Sequence, residues 1–183
     1  MIFLPLSESQ LRQYIDAESV FTAWRRAKAD AKTVRGSMFW RDLRGKATLI
    51  RVSTTGSQTV IGKESLENRE IYDRFIKRKA DSSQRVKSLK EALDEQTRLN
   101  RALRVGRTPD VVVRILNALD ENGYAEHLTT VGTHALFAYE AAAGVRIQPK
   151  ALATRDVDLF FDVRKRLSFF EKINKSEGSL IQV

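Results

Sequence analysis

Two aspartates near the C-terminal end of the sequence have the types and spacing that suit metal chemistry. Residues Arg155-Asp156-Val157-Asp158-Leu159-Phe160 have the apolar pattern of a buried strand. Side chains alternate between the two faces of a strand, so Asp156 and Asp158 should point the same way, roughly 7 Å apart, with Val157 turned into the core. Two carboxylates on one face are suited to hold Mg²⁺ or Mn²⁺, whose oxygen shell substrate phosphates would complete.

A glycine and a threonine before a predicted helix supply the second half of this arrangement. The helix is predicted from about His134 to Ala143, after a strand that ends at Val131. Gly132 lets the backbone approach a bound group closely, and Thr133 places a hydroxyl beside the first free amides of the helix. Because helix N-termini bind phosphate, Gly132 and Thr133 are candidate phosphate contacts. We expect the turn and the aspartates to meet on neighbouring strands.

These two segments resemble a known pattern. Val131-Gly132-Thr133-His134-Ala135-Leu136 and Ala153-Thr154-Arg155-Asp156-Val157-Asp158-Leu159 are similar to the glycine turn and Asp-x-Asp strand of the polymerase-beta-like nucleotidyltransferase superfamily. More closely, the chain resembles an uncharacterised bacterial family with that fold and a long helical N-terminal extension. The longer resemblance includes Gln13-Tyr14-Ile15-Asp16-Ala17, Gln96-Thr97-Arg98-Leu99-Asn100-Arg101-Ala102-Leu103 and Ala138-Tyr139-Glu140-Ala141-Ala142-Ala143-Gly144-Val145-Arg146.

The resemblance implies a function. It implies Mg²⁺-dependent transfer of a nucleoside monophosphate from a nucleoside triphosphate to an acceptor hydroxyl, with pyrophosphate leaving. Asp156 and Asp158 would hold the metal ions, and Gly132 and Thr133 would contact the β and γ phosphates. A different interpretation of the aspartates is that they only form ion pairs with nearby cations, namely Arg146, Arg155 or Arg164.

A third carboxylate, which the superfamily takes from a following strand, is not found in the sequence. The acids after Asp158 lie in no separate apolar strand; they are Asp162, Glu171 and Glu177. We therefore expect that the chain is a fragment of a longer protein or an inactive form. Weak or absent turnover follows from either expectation.

The composition excludes several classes of site. The 183 residues include no cysteine and two histidines, so disulfides, thiolate metal sites and cysteine nucleophiles are absent. No apolar run reaches the roughly 20 residues of a membrane span, and the N-terminal segment lacks the basic flank of a signal peptide. A soluble, cytoplasmic protein is the expectation.

The net charge of +9 favours an anionic partner, either nucleotide phosphate or nucleic acid. The alternative function is therefore a non-catalytic nucleic-acid-binding or assembly module. Basic and aromatic side chains in a predicted three-stranded meander are the candidates for such contacts, namely Trp40, Arg41, Arg44, Lys46 and Arg51. The opposing interpretation is that the aromatics pack on the first helix and the cations are solvated.

Periodicity predicts an α+β fold with two parts. Residues 1–106 form a helical extension that contains the meander over 36–62. A helix over 7–33 precedes the meander, with Ser7 and Gln10 as a capping box. A Gly- and Pro-free segment over 64–105 predicts one long helix, or two broken near 81–83, and a homodimer through these long helices.

Residues 107–183 form the second part, a partial nucleotidyltransferase-like α/β sheet module. Thr108 is predicted to cap its first helix, with Pro109 at the first helical position. Among other side chains, we expect His127 and Glu140 to be at the surface, Tyr139 to be in the core and His134 to be a first-turn residue.

Overall fold

The computed structural model describes residues 3–148 and 156–162, and its class is α+β with a helical N-terminal part, as predicted. The chain divides into two compact units. The first unit contains the described residues before 15 and after 102, and the second unit is Ile15–Ala102. None of the helices in the described residues combines the length and apolar content that crossing a membrane requires.

Helix α1 spans Glu8–Thr33 and begins with the predicted capping box. The Ser7 backbone N–H donates to Gln10 Oε1 at 3.0 Å, and the Gln10 N–H donates to Ser7 Oγ at 3.3 Å. Two amides that have no partner within the helix are satisfied in this way. A pattern of two residue types at the right spacing was enough to locate this helix start.

The predicted meander is present in the second unit. Strands β2 (Ser37–Asp42), β3 (Ala47–Val52) and β4 (Gln58–Lys63) form an antiparallel sheet in that order. Arg44 and Gly45 connect β2 to β3 with φ of 57° and 74°, and two positive φ values are typical of the type I′ turn of tight hairpins. The Asp42 carboxylate accepts a hydrogen bond from the Gly45 N–H at 2.7 Å.

One continuous helix, α2, follows the sheet over Leu66–Ala102, so the alternative of two helices is wrong. The core of the unit joins the sheet to this helix through Met38, Leu49 and Phe75. Trp40 packs against that cluster, with its ring 6.1 Å from the ring of Tyr72 in α2. The prediction that the sheet's aromatics pack on the first helix is therefore wrong for Trp40, which contacts the second.

The first unit contains a strand pair that the sequence pattern did not predict. Strand β1 (Phe3–Pro5) pairs antiparallel with β6 (Val145–Ile147), placing Phe3 opposite Ile147. Each strand has three residues, which is too short for an alternating pattern to be recognised. The pairing brings the beginning of the described chain against the end of the segment that follows the glycine turn.

Helix α3 spans Asp110–Glu121, and helix α4 spans Gly132–Ala143. Pro109 is the N-cap of α3, and no side chain caps the helix there, so the prediction that Thr108 is the cap is wrong. Gly144 ends α4 in the left-handed conformation, with φ of 63°. Strand β5 (Leu128–Val131) precedes α4, and strand β7 (Asp158–Phe161) pairs with β5.

Candidate functional site

The glycine turn and the second aspartate lie next to each other in the first unit. Strands β5 and β7 are antiparallel, and their register places Val131 directly opposite Asp158. Residues directly opposite on neighbouring strands project from the same face of the sheet. The end of β5, where the chain turns into α4, therefore lies beside the beginning of β7.

The aspartate segment is less regular than the sequence indicated. Strand β7 begins at Asp158, and Asp156 lies two residues before it, outside the strand. Exposure nevertheless alternates: Asp156, Asp158 and Phe160 are exposed, whereas Val157 and Leu159 are half-buried. The prediction of a buried strand over 155–160 is wrong, because one face of this short ribbon is exposed and Phe160 on that face is 60% exposed. Residue 155 lies outside the described residues.

Gly132 is fixed as glycine by its backbone and by its neighbour. Its φ is 66°, in the left-handed region that residues with a Cβ rarely adopt. A Cβ placed on Gly132 would fall well within 3.0 Å of Asp158 Oδ2. The backbone at the turn and the Asp158 carboxylate therefore occupy adjoining space that leaves no room for a side chain.

The helix start at this turn offers free backbone donors. Helix α4 begins at Gly132, two residues earlier than predicted, and Thr133 is half-buried in its first turn. Val131 is the N-cap with an extended backbone, and it provides no side-chain hydrogen bond to the first-turn amides. The first amides of a helix have no partner within the helix, and together with the helix dipole they favour an anion.

The donor set at this place fits a hard divalent cation in its chemistry. Carboxylate oxygens are the ligands that Mg²⁺ prefers. The exposed Asp158 carboxylate lies beside the start of α4, and the exposed Asp156 precedes it by two residues in the chain. Asp158 forms no ion pair in the part of the chain that the structure describes, so pairing with Arg146 does not account for it. Within those same residues there is no group of three or more acidic or histidine side chains that would hold a metal alone.

A buried ion pair in this unit was not predicted. Glu140, expected at the surface, is 7% exposed and pairs with Arg107, whereas Tyr139, expected in the core, is 66% exposed. Glu140 Oε1 also accepts the Ile147 N–H at 2.5 Å. A buried carboxylate requires such partners. Arg107 lies 33 residues before Glu140 in the chain, so no local sequence pattern predicts this ion pair.

The two histidines are both buried. His127, expected at the surface, is 1% exposed, and its backbone carbonyl accepts the Asp162 N–H at 3.0 Å, just beyond β7. His134 lies in the first turn of α4 as predicted, is 7% exposed and stacks on Phe137, with ring centroids 5.9 Å apart. The sequence indicated the position of His134 but not its burial.

A comparison with known protein families gives a match that covers the candidate site. Residues 110–183 match the model of a family described as nucleotidyltransferase. The matched segment begins at the first residue of α3 and includes Gly132, Thr133, Asp156 and Asp158. Comparisons with curated proteins and with solved structures give no significant match. From residue 110 onward the chain is thus similar to a nucleotidyltransferase family, which confirms the resemblance seen in the sequence and supports a nucleotidyltransferase-type function.

Proposed function

We propose that this chain binds a nucleoside triphosphate with Mg²⁺ or Mn²⁺ and belongs to a site that transfers the nucleoside monophosphate to an acceptor. Asp156 and Asp158 would hold the metal. Gly132 and Thr133 would bind the β and γ phosphates through the first amides of α4 and the threonine hydroxyl.

The close approach of Gly132 to Asp158 is the observation that carries this proposal. A glycine with φ of 66° lies against a carboxylate that has no ion-pair partner among the described residues. Side chains that serve only packing do not need this arrangement. A site in which a metal-binding carboxylate lies against the backbone of a phosphate-binding turn does need it, because a Cβ would push the carboxylate away from the turn.

The charges suggest different roles for the metal and for the start of α4. A bound divalent cation would supply neutralisation of the triphosphate charge. The amides at the start of α4 would orient the terminal phosphates, which aligns the bond to be broken. Asp158 begins β7 opposite Val131, whereas Asp156 precedes the strand, so the strand pairing fixes the backbone of Asp158 only.

Calorimetry with the full chain tests this proposal. ATP, GTP, CTP and UTP are titrated separately in the presence of Mg²⁺, and again with EDTA. We expect at least one nucleotide to bind only with the metal, and Asp156→Asn or Asp158→Asn to weaken binding about tenfold or more. Asp110→Asn is the matched control, since Asp110 is exposed in the same unit and should leave binding unchanged. The proposal would be overturned if the unchanged chain bound no nucleotide, or if both site variants bound nucleotide as tightly as the unchanged chain.

A second candidate function, nucleic-acid binding, is favoured by the distribution of charge. The second unit, Ile15–Ala102, contains twenty Lys or Arg residues against twelve Asp or Glu residues, so it carries +8 of the net +9. The excess lies apart in sequence from the aspartate site, where nucleotide phosphates would bind. Such a basic unit suits contact with a phosphate backbone.

Fluorescence anisotropy with labelled single- and double-stranded DNA and RNA distinguishes the two candidates. If the second unit binds the backbone, the affinity should fall steeply with rising salt. Asp158→Asn should leave that affinity unchanged, because Asp158 lies in the other unit. Salt-insensitive or absent binding would rule out this candidate without affecting the nucleotide site.

A further inference from the structure

A cavity of about 480 Å³ lies within the first unit. This volume is in the range of small-molecule sites. Its lining is mostly apolar and is contributed by α1, α3, α4, β5, β6 and the chain before α1 and α3, including Leu6, Val112, Leu116, Phe137 and Val145. Charged side chains and a histidine also line it, namely Arg107, His134, Glu140 and Arg146.

The negative charge in the cavity wall is already matched. Glu140 pairs with Arg107, and the same carboxylate oxygen accepts the Ile147 N–H at 2.5 Å. Arg107 Nη2 also donates to the Ile147 carbonyl at 2.8 Å. The pair is therefore a fixed part of the wall, and it leaves no net charge of its own.

The positive charge of Arg146 is not matched in this way. Arg146 Nη2 and His134 Nδ1 are buried and have no hydrogen-bond partner among the described residues. His134 as a whole is 7% exposed. A buried donor without an acceptor is unfavourable, so an anionic oxygen placed there would be stabilised by a charge-assisted hydrogen bond.

The cavity is distinct from the proposed nucleotide site. Thr130 of β5 lines the cavity, and Val131, the next residue, projects from the opposite face of the strand. Asp158 lies directly opposite Val131 and shares its face. The aspartate and the cavity are therefore on opposite sides of the β5–β7 ribbon, and a ligand of the cavity would not be the reacting triphosphate.

We propose that this cavity binds a small amphipathic organic anion. Its anionic oxygens would accept from Arg146, and from His134 when Nδ1 carries the proton. Its apolar part would lie along Val112, Leu116 and Phe137. A purely apolar ligand would leave the Arg146 donor unsatisfied. A highly charged anion would be disfavoured, because the apolar wall would not solvate it and the Glu140 carboxylate would repel it.

Octanoate is a suitable probe, titrated calorimetrically into the full chain without nucleotide or metal. 1-Octanol and octylammonium have the same apolar chain with no charge or the opposite charge. We expect octanoate to bind at least about tenfold more tightly than either, the difference that one charge-assisted hydrogen bond gives. Equal binding of octanoate and octanol, or no octanoate binding, would overturn the proposal.

Variants locate the probe. Arg146→Met replaces the stem of the side chain with an unbranched apolar one and removes the guanidinium, so it should weaken octanoate binding about tenfold. Arg114→Met, at an exposed arginine of α3, should leave octanoate binding unchanged. Ala138→Phe enlarges an exposed residue of the lining and should reduce binding of octanoate and octanol together. Circular dichroism checks that each variant folds. Unchanged octanoate affinity in Arg146→Met and in Ala138→Phe would exclude this cavity. If Arg146→Met does not fold, Ala138→Phe still tests whether octanoate binds in this cavity, and the comparison with octanol still tests whether the carboxylate contributes to binding.

Discussion

Replacing Gly132 with alanine tests the contact on which the candidate site depends. The substitution has two separable costs. The first is conformational, since φ is 66° and a residue with a Cβ loses about 1–2 kcal/mol in the left-handed region. The second is steric, since the new Cβ would collide with Asp158 Oδ2 and force the carboxylate away from its position, at about 1 kcal/mol for an off-rotamer side chain.

Gly106→Ala is the matched control. Gly106 has φ of 76° in the same unit, and no atom lies within 4 Å of the position its Cβ would occupy. It should show the conformational cost alone, so Gly132→Ala should destabilise the unit by about 1 kcal/mol more. In an Asp158→Ala background the excess should disappear, because the remaining Cβ of residue 158 lies at an ordinary contact distance of 3.5 Å.

Hydrogen exchange measured by mass spectrometry is the appropriate assay. Both tryptophans, Trp24 and Trp40, lie in Ile15–Ala102, so their fluorescence reports the other unit. The slowest amides of α4, β5 and β7 report the opening free energy of the first unit. Equal losses for Gly132→Ala and Gly106→Ala, or an excess that persists without the Asp158 carboxylate, would refute the close contact between turn and aspartate.

Two further predictions concern the second unit. Phe75→Ala should lower the free energy of unfolding of the second unit by about 3 kcal/mol or more, because Phe75 lies in the core and is 8% exposed. Ile76→Ala, at a neighbouring residue that is 42% exposed, should lower it by less than about 1 kcal/mol. Urea denaturation followed by the fluorescence of Trp24 and Trp40 measures both losses, and similar losses would contradict the assigned core. Arg44→Asn should stabilise the unit by about 0.5–1 kcal/mol in the same assay, because asparagine tolerates the φ of 57° at this turn position. Destabilisation would argue against the type I′ turn.

Much of the fold could be predicted because it depends on neighbours in sequence. The capping box at Ser7 located the start of α1, and Arg44-Gly45 marked the tight hairpin. The Gly- and Pro-free segment predicted α2 but left open whether it was broken. Side-chain periodicity also indicated that exposure alternates along the aspartate segment, with Asp156 and Asp158 exposed and Val157 less so, although the strand begins only at Asp158.

Which side chains are buried in the first unit depends on partners distant in sequence. Tyr139 and Glu140 were assigned the wrong way round, since an apolar preference alone places tyrosine inside. Arg107, 33 residues away, supplies the charge that makes burial of Glu140 favourable. Neither the ion pair nor the cavity it helps to line has a signature in the local sequence.

Caps, turns and periodicity act over a few residues, so the presence of the helices, the hairpin turn, the glycine turn and the pair of aspartates could be predicted from the sequence. The pairing of β1 with β6 and the burial of Glu140 became evident only from the folded chain, which also shows how closely Gly132 and Asp158, expected on neighbouring strands, approach each other. The physical reason is that these contacts join segments far apart in the chain. Their favourable energy exists only after the intervening loops have closed, and nothing local encodes which distant partner will be met.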